Sequence, residues 1–268
     1  MNKFFIVVLF LLMTTSFHSH AQRNKTNKEI KLNLKLDLSN RHVWRGLLCV
    51  DQKCLKPTIE YVRKRFTAGA WSLFTTDNSV DEIDLYLVYK IKNWKFRFCD
   101  TYLLGISDKN KSFFDYGKNA GIHIFDFYTT YTLDGSLPLT ILAAGSWAAN
   151  EINYSYFPTK GNDDTTKNIG ELRTISWYLE LNYPTHLGST KINYILGMAP
   201  GKSKYSNWVN EDGRKHYSDG AFYLTNIGLN LSDKIKITDK FSIPISAELT
   251  FNPHQEKIYL QFNIGLNN

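Results

Sequence analysis

Strict alternation of apolar and polar residues at the head of this chain leaves few folds open to it. In Ile30-Lys31-Leu32-Asn33-Leu34-Lys35-Leu36-Asp37-Leu38-Ser39 every even position is apolar and every odd one polar. A strand sends successive side chains to opposite faces, so this run has one greasy face and one wet face. A helix would scatter the same leucines around its circumference. The same period predicts strands over 58–62, 66–74, 82–89, 94–102, 121–132, 138–148, 172–183, 190–198, 221–231, 242–251 and 257–266. With the first run this makes about 12 strands, most of roughly 8–11 residues, the length a tilted strand needs to cross a bilayer. Strands of ordinary globular proteins average about five or six residues.

The connections carry a second regularity. Residues 63–65, 90–93, 134–136 and 184–189 are short links, whereas 46–56, 105–120, 149–171 and 199–220 are long, and the two kinds alternate. Short turns at one end and long loops at the other are the habit of outer-membrane barrels with the N-terminus in the periplasm. Two links break the pattern: 232–240 is long for its side and 252–255 is short for its side. The sequence therefore predicts an all-β protein, an antiparallel transmembrane up-and-down β-barrel of about 12 strands.

The N-terminus agrees with that compartment. Lys3, the apolar run from Phe4 to Met13, and Ser19-His20-Ala21 before Gln22 have the layout of a secretory signal peptide. The apolar run is too short for a spanning helix, which needs roughly 20 residues. The expected organisation is a signal peptide over 1–21 cleaved near Ala21, a flexible lead-in over 22–29 and a barrel over 30–268, in the outer membrane of a Gram-negative bacterium. The expected partners are outer-membrane lipids and lipopolysaccharide, small solutes and the barrel-assembly machinery. A mean hydropathy of −0.31 fits, because barrel strands average out hydrophilic. So does an aromatic content of 15%, since Tyr and Trp gather at membrane interfaces. The net charge of +7 is spread along the chain, and a secreted protein rarely meets nucleic acid, so no nucleic-acid partner is expected.

Alternation does not say which face points inward. A soluble barrel buries its apolar face around a ligand, and a membrane barrel turns that face to lipid. Under the membrane reading the polar face lines the lumen. The candidate pore-lining residues are then Lys31, Lys35, Asp37, Arg45, Glu82, Asp84, Lys95, Arg97 and Glu180. Cys49 and Cys54 lie in the first long loop, where an oxidising compartment favours a disulfide over two free thiols. Cys99 falls in a strand as a small apolar filler.

Trp44-Arg45-Gly46 closes the first strand, Pro57 opens the second, and Gly69-Ala70-Trp71 and Glu82-Ile83-Asp84-Leu85-Tyr86 follow. This order resembles the TorF-type porins, a group of outer-membrane barrels, over the first third of the mature chain. His42 stands where that family has an aromatic residue, and Val88 where it has glycine. The end, Asn252-Pro253 with Glu256-Lys257-Ile258-Tyr259, is similar to closing hairpins of barrels from Bacteroidetes-type bacteria. The resemblance implies a barrel and a channel without naming a solute.

No catalytic, cofactor or metal site is expected. No G-x-S-x-G accompanies Gly145-Ser146-Trp147, and Gly117-Lys118 and Gly201-Lys202 lack the frame of a phosphate loop. His123, between Ile122 and Ile124, reads as a structural strand histidine, and Asp163-Asp164 as a solvated turn. A porin for passive diffusion is the first functional expectation. The alternatives are a closed barrel acting as adhesin or assembly partner, and an outer-membrane lipid hydrolase.

Overall fold

The structure, a computed structural model, describes residues 30–77, 80–103, 113–114, 116, 122–135, 137–148, 176–200, 222–239 and 241–267. The expected signal peptide and lead-in, 1–29, and Asp163-Asp164 lie outside the described residues. Along the chain run β1 (Ile30–Ser39), β2 (His42–Trp44), β3 (Leu47–Val50), β4 (Cys54–Arg63), β5 (Phe66–Thr75), β6 (Asp81–Ile91) and β7 (Trp94–Leu103). Then come β8 (Ile122–Thr132), β9 (Thr140–Ala148), β10 (Ser176–Leu187), β11 (Thr190–Pro200), β12 (Phe222–Lys236), β13 (Ser242–Asn252) and β14 (Lys257–Asn267).

Twelve of these strands, β1 and β4 to β14, form one closed barrel with every neighbour antiparallel. Closure falls between the first and last strands, with Leu36 opposite Leu266 and Leu38 opposite Ile264. The wall strands are 9 to 15 residues long, enough to cross a bilayer at a tilt. β2 and β3 form a separate two-stranded sheet.

Strand extension accounts for one of the irregular links. β12 continues through Lys236, so the turn to β13 shrinks to residues 237–241, closed by Ile237 N–H donating to the Phe241 carbonyl at 3.0 Å. Similarly β10 runs to Leu187 and leaves a tight turn at Gly188 and Ser189, with Gly188 at φ +60°. The link after β13 remains short, at 253–256. The expected loop 46–56 departs most: it holds β3, and β4 already begins at Cys54.

Register settles which face is which. Leu87 (62% exposed), Phe66 (63%) and Ile264 (53%) stand on the outer face, while Asp126 (2%) and Thr250 (1%) are shut inside. This is the reverse of a soluble barrel, whose apolar face is its core. Outward aromatics collect near both ends of the wall. Phe66 with Tyr89 (4.7 Å between ring centroids) and Trp94 with Tyr131 (4.6 Å) lie at the short-turn end. Phe98, Phe125 and Trp147 cluster toward the other end. Such girdles mark the two headgroup levels, where an amphipathic ring meets both lipid and water.

A charge on the outer face should therefore cost in proportion to its depth. Leu87→Arg, mid-strand, is expected to destabilise the barrel by about 2–4 kcal/mol, and Phe66→Arg at the girdle by about 0–1 kcal/mol. Urea titration of the protein folded into lipid vesicles measures both, and equal losses would contradict the membrane depth assigned here.

Candidate functional site

The lumen is built by the inward set of each wall strand, and its centre is occupied by the β2–β3 hairpin. The chain leaves β1 at Asn40, whose carboxamide oxygen accepts from Phe262 N–H at 2.8 Å, and then turns inward. Arg41 and Asp51 tie the hairpin base together at 3.0 Å. Val43 N–H donates to the Gln261 side chain on β14 at 2.7 Å. The tip is Arg45-Gly46, both left-handed at φ +53° and +85°, the conformation a tight two-residue hairpin turn demands. Gly46 is also required for space, because a Cβ there would strike the backbone carbonyl of Thr225 on β12. Its own carbonyl accepts from the Asn252 carboxamide at 2.9 Å.

Two apolar contacts wedge the hairpin across the bore. Leu47 packs with Ala144, Tyr178 and Ala199, the inward residues of β9, β10 and β11. Val50 packs with Leu73 of β5, Cys54 and Val80. Cys49 touches both clusters. His42 lies over the Trp71 ring at 5.7 Å.

At the tip the Arg45 guanidinium lies 4.8 Å from the Trp44 ring centroid, 4.7 Å from that of Tyr128 and 4.6 Å from that of Tyr178. Arg97 sits 4.2 Å from the Tyr86 ring and 5.6 Å from Tyr128, so Tyr128 faces two cations. Carboxylates orient these rings. The Tyr86 hydroxyl donates to Glu60 at 2.9 Å, and the Tyr178 hydroxyl to Glu180 at 2.6 Å. Asn33 and Asn182 hold the second oxygens of Glu60 and Glu180 at 3.0 and 2.7 Å. Asp84 lies 3.8 Å from Arg97, and the Ser146 hydroxyl donates to Asp126. Gly197, beside Tyr178, leaves room for the phenol that a Cβ would fill. Cations, rings and carboxylates thus sit side by side around the bore, within a poorly hydrated space.

Cross-strand register puts Lys31, Lys35 and Asp37 of β1 on the Glu60 face, and Glu82, Asp84, Lys95, Arg97 and Glu180 likewise face inward. Arg45 belongs to the hairpin and not to the wall. Sequence periodicity missed Lys56, Glu60, Tyr86, Asp126, Tyr128 and Tyr178, which face the same interior. Lys56 and Glu60 alternate with Pro57 and Ile59, so they carried a signal; the tyrosines did not, since an inward phenol looks like an outward one in sequence.

The expected Cys49–Cys54 disulfide is corrected. All three cysteines are free thiols: Cys49 is directed at the Leu47 carbonyl at 3.8 Å, and Cys54 at the Gln52 carbonyl at 2.9 Å. Cys49 sits in the lumenal hairpin, and Cys54 opens a wall strand.

His123 lies on the outer face, as its register opposite Tyr102 requires. Its Nδ1 is 2.7 Å from Asp100, whose other oxygen accepts from the Tyr116 hydroxyl at 2.7 Å. That hydrogen bond pushes the phenol up to about 12, so it stays a donor. Tyr102, Phe113 and Tyr116 pack around the imidazole at 4.6, 5.3 and 4.1 Å. The trio fastens Phe113 and Tyr116 to the wall. No hydroxyl of the described residues hydrogen-bonds its Nε2, so His123 is not paired there with a nucleophile. No metal-ligand cluster of three His, Cys, Asp or Glu occurs among the described residues.

No family model matches the chain, and no curated protein does. Similar solved structures include a KdgM porin, at 8% identity over 88% of this chain and 97% of that one, with a TM-score of 0.43. A CymD monoaromatic hydrocarbon channel aligns at 8% identity over 90% and 87%, TM-score 0.40. An outer-membrane channel from Pseudomonas putida F1 aligns at 10% identity over 92% and 99%, TM-score 0.40. At these values the functional reading rests on this chain's own geometry.

If Arg45 and Gly46 seat the hairpin, disturbing them should free it. Removing the cation–π contacts in Arg45→Ala forfeits about 0.5–2 kcal/mol, an opening about two- to thirtyfold more frequent. Gly46→Val should open it further. Maleimide labelling of Cys49, with Cys54 and Cys99 replaced by serine, reads the opening directly; unchanged labelling in both variants would show that the tip does not anchor the hairpin.

Proposed function

We propose that the chain is an outer-membrane channel for small solutes, with its bore set by the β2–β3 hairpin. One observation carries this reading: the barrel is inverted, apolar outside and charged inside. A soluble protein has no use for a lipid-facing girdle, and an inert plug has no use for so many inward charges. Inside lipid only a closed barrel or a helix satisfies the backbone, and the β1–β14 seam supplies that closure. The localisation follows from the same argument together with the leader read in the sequence. Outer-membrane lipids and lipopolysaccharide would surround the wall, and the barrel-assembly machinery would insert it. Selectivity would come from Arg45, Arg97, Glu60, Asp84 and Glu180 around the hairpin, as charged constrictions select in other pores. The TorF-type resemblance of the first third supports a channel.

A closed barrel serving as adhesin or assembly partner is the second reading, favoured by the wedge itself. Leu47 is 2% exposed and Tyr178 0%, so the resting lumen is tightly filled at the hairpin level. Small barrels do fill their interior with side chains.

Planar-bilayer recording separates the two. The channel reading expects small unitary steps from the wild-type protein and larger ones from a variant whose residues 41–52 are replaced by a short glycine-serine link. If both proteins are folded and both are silent, the channel reading fails and the closed barrel stands.

A further inference from the structure

Several lysines gather at the short-turn mouth on the β6–β9 side of the barrel. There a cavity of about 460 Å³ opens inside the β6–β9 wall, lined by Lys90, Lys92, Lys95, Asn93, Thr130 and Asp134 among others. That volume falls in the range of small-molecule sites, roughly 300–1,000 Å³.

Three features of the lining are hard to explain as scaffold. Lys90 and Lys95 stand directly opposite each other across β6 and β7, both on the inward face. Like charges in that position destabilise a strand pair. Lys92 adds a third cation at the two-residue turn between β6 and β7, whose left-handed φ of +48° is the one such a turn demands. Among the described residues none of the three is in an ion pair. The carboxylate of the lining, Asp134, is instead engaged by the Asn93 carboxamide at 2.5 Å. The third feature is Thr130, directly opposite Lys95 on β8. The residue lines the cavity at 7% exposure, and its hydroxyl, closed off from the cavity in the resting rotamer, has no hydrogen-bond partner. A buried hydroxyl without a partner costs free energy unless something supplies one.

We propose that this mouth is a binding site for a small oxyanion, a carboxylate or phosphate group carried by a solute. The anion would relieve the Lys90–Lys95 repulsion, take a hydrogen bond from the Thr130 hydroxyl once that side chain turns toward the cavity, and leave Asp134 on Asn93. The site stands on the mouth geometry alone. Its consequence, a preference for anionic solutes, rests on the channel reading.

The test uses the full chain folded in detergent. Inorganic phosphate and succinate are titrated separately by calorimetry at constant ionic strength, with sodium chloride as the screening control. Saturable binding of one equivalent is expected from one or both probes. Binding of both means that the oxyanion is the recognised element, and binding of one names its source. Lys90→Gln and Lys95→Gln should each weaken the dissociation constant at least tenfold, and Thr130→Val several-fold. Lys92→Gln, at the exposed turn, provides a variant whose folding is not in question and should also weaken binding. Heat that fails to saturate, matches chloride, or is unchanged in these variants overturns the site. Reversal potentials across a potassium chloride gradient separate the two readings. Binding with no conductance sinks the channel and keeps the site. Conductance whose ion preference is indifferent to Lys90→Gln and Lys95→Gln, without saturable binding, sinks the site and keeps the channel.

Discussion

Backbone hydrogen bonding in a medium without water governs everything else in this protein. Each N–H and C=O within hydrocarbon must find a partner in the chain. In an antiparallel sheet that is possible only if the two edges meet. They do, where β1 pairs with β14 on one side and β4 on the other, so the first strand has no free edge. Alternation follows from closure. Once the sheet is a tube, one set of side chains must face lipid and the other must face whatever fills the tube.

What fills it follows from polarity. With the apolar set outside, the interior cannot be a hydrophobic core, and its groups must satisfy one another. Tyr86 with Glu60 and Tyr178 with Glu180 do this from the wall, and the hairpin brings the cation that the second pair faces. Leu47 and Val50 supply the apolar contacts that hold a loop in a polar bore. A loop held by two small clusters and a cation–ring stack is less firmly fixed than the wall, which is sealed along every strand. The hairpin is therefore the element whose displacement would alter the bore without opening the barrel.

Much of the wall was legible because period 2 is a geometric necessity. Leu32 to Leu38 and Ile258 to Leu266 announce strands whatever surrounds them. The inward hairpin was not legible, since His42 to Val50 lies in the stretch before the second wall strand, where Cys49 and the following Cys54 suggest a stapled loop. The local signal was Leu47-Leu48-Cys49-Val50, an apolar run in what should be a water-facing connection. Such a run requires a surface to bury against, and the nearest one is the lumen. Strand ends were misjudged where polar residues continue the ladder past the membrane, as at Ser232 to Lys236. There the backbone keeps pairing although the side chains no longer alternate in polarity. The pairing of Lys90 with Lys95 was hidden for another reason: cross-strand neighbours depend on turn length, and two residues more or less at the turn would have separated them.

The vertical arrangement of charge inside the barrel has a dielectric logic. At the hairpin level Arg97 meets Asp84, and Tyr86 and Tyr178 meet glutamates, in a space where side chains such as Asp126 and Tyr178 have almost no contact with water. Unmatched charge in such a space is costly, so cations and anions occur together. At the short-turn mouth the lysines are exposed, and water and salt weaken their mutual repulsion over roughly 8–10 Å. Like charges can therefore be gathered there at tolerable cost, where at the waist they could not. In the proposed channel, a solute moving along this axis would pass from the hairpin waist, where size and hydrogen bonding would discriminate, to the lysine-rich mouth, where charge would.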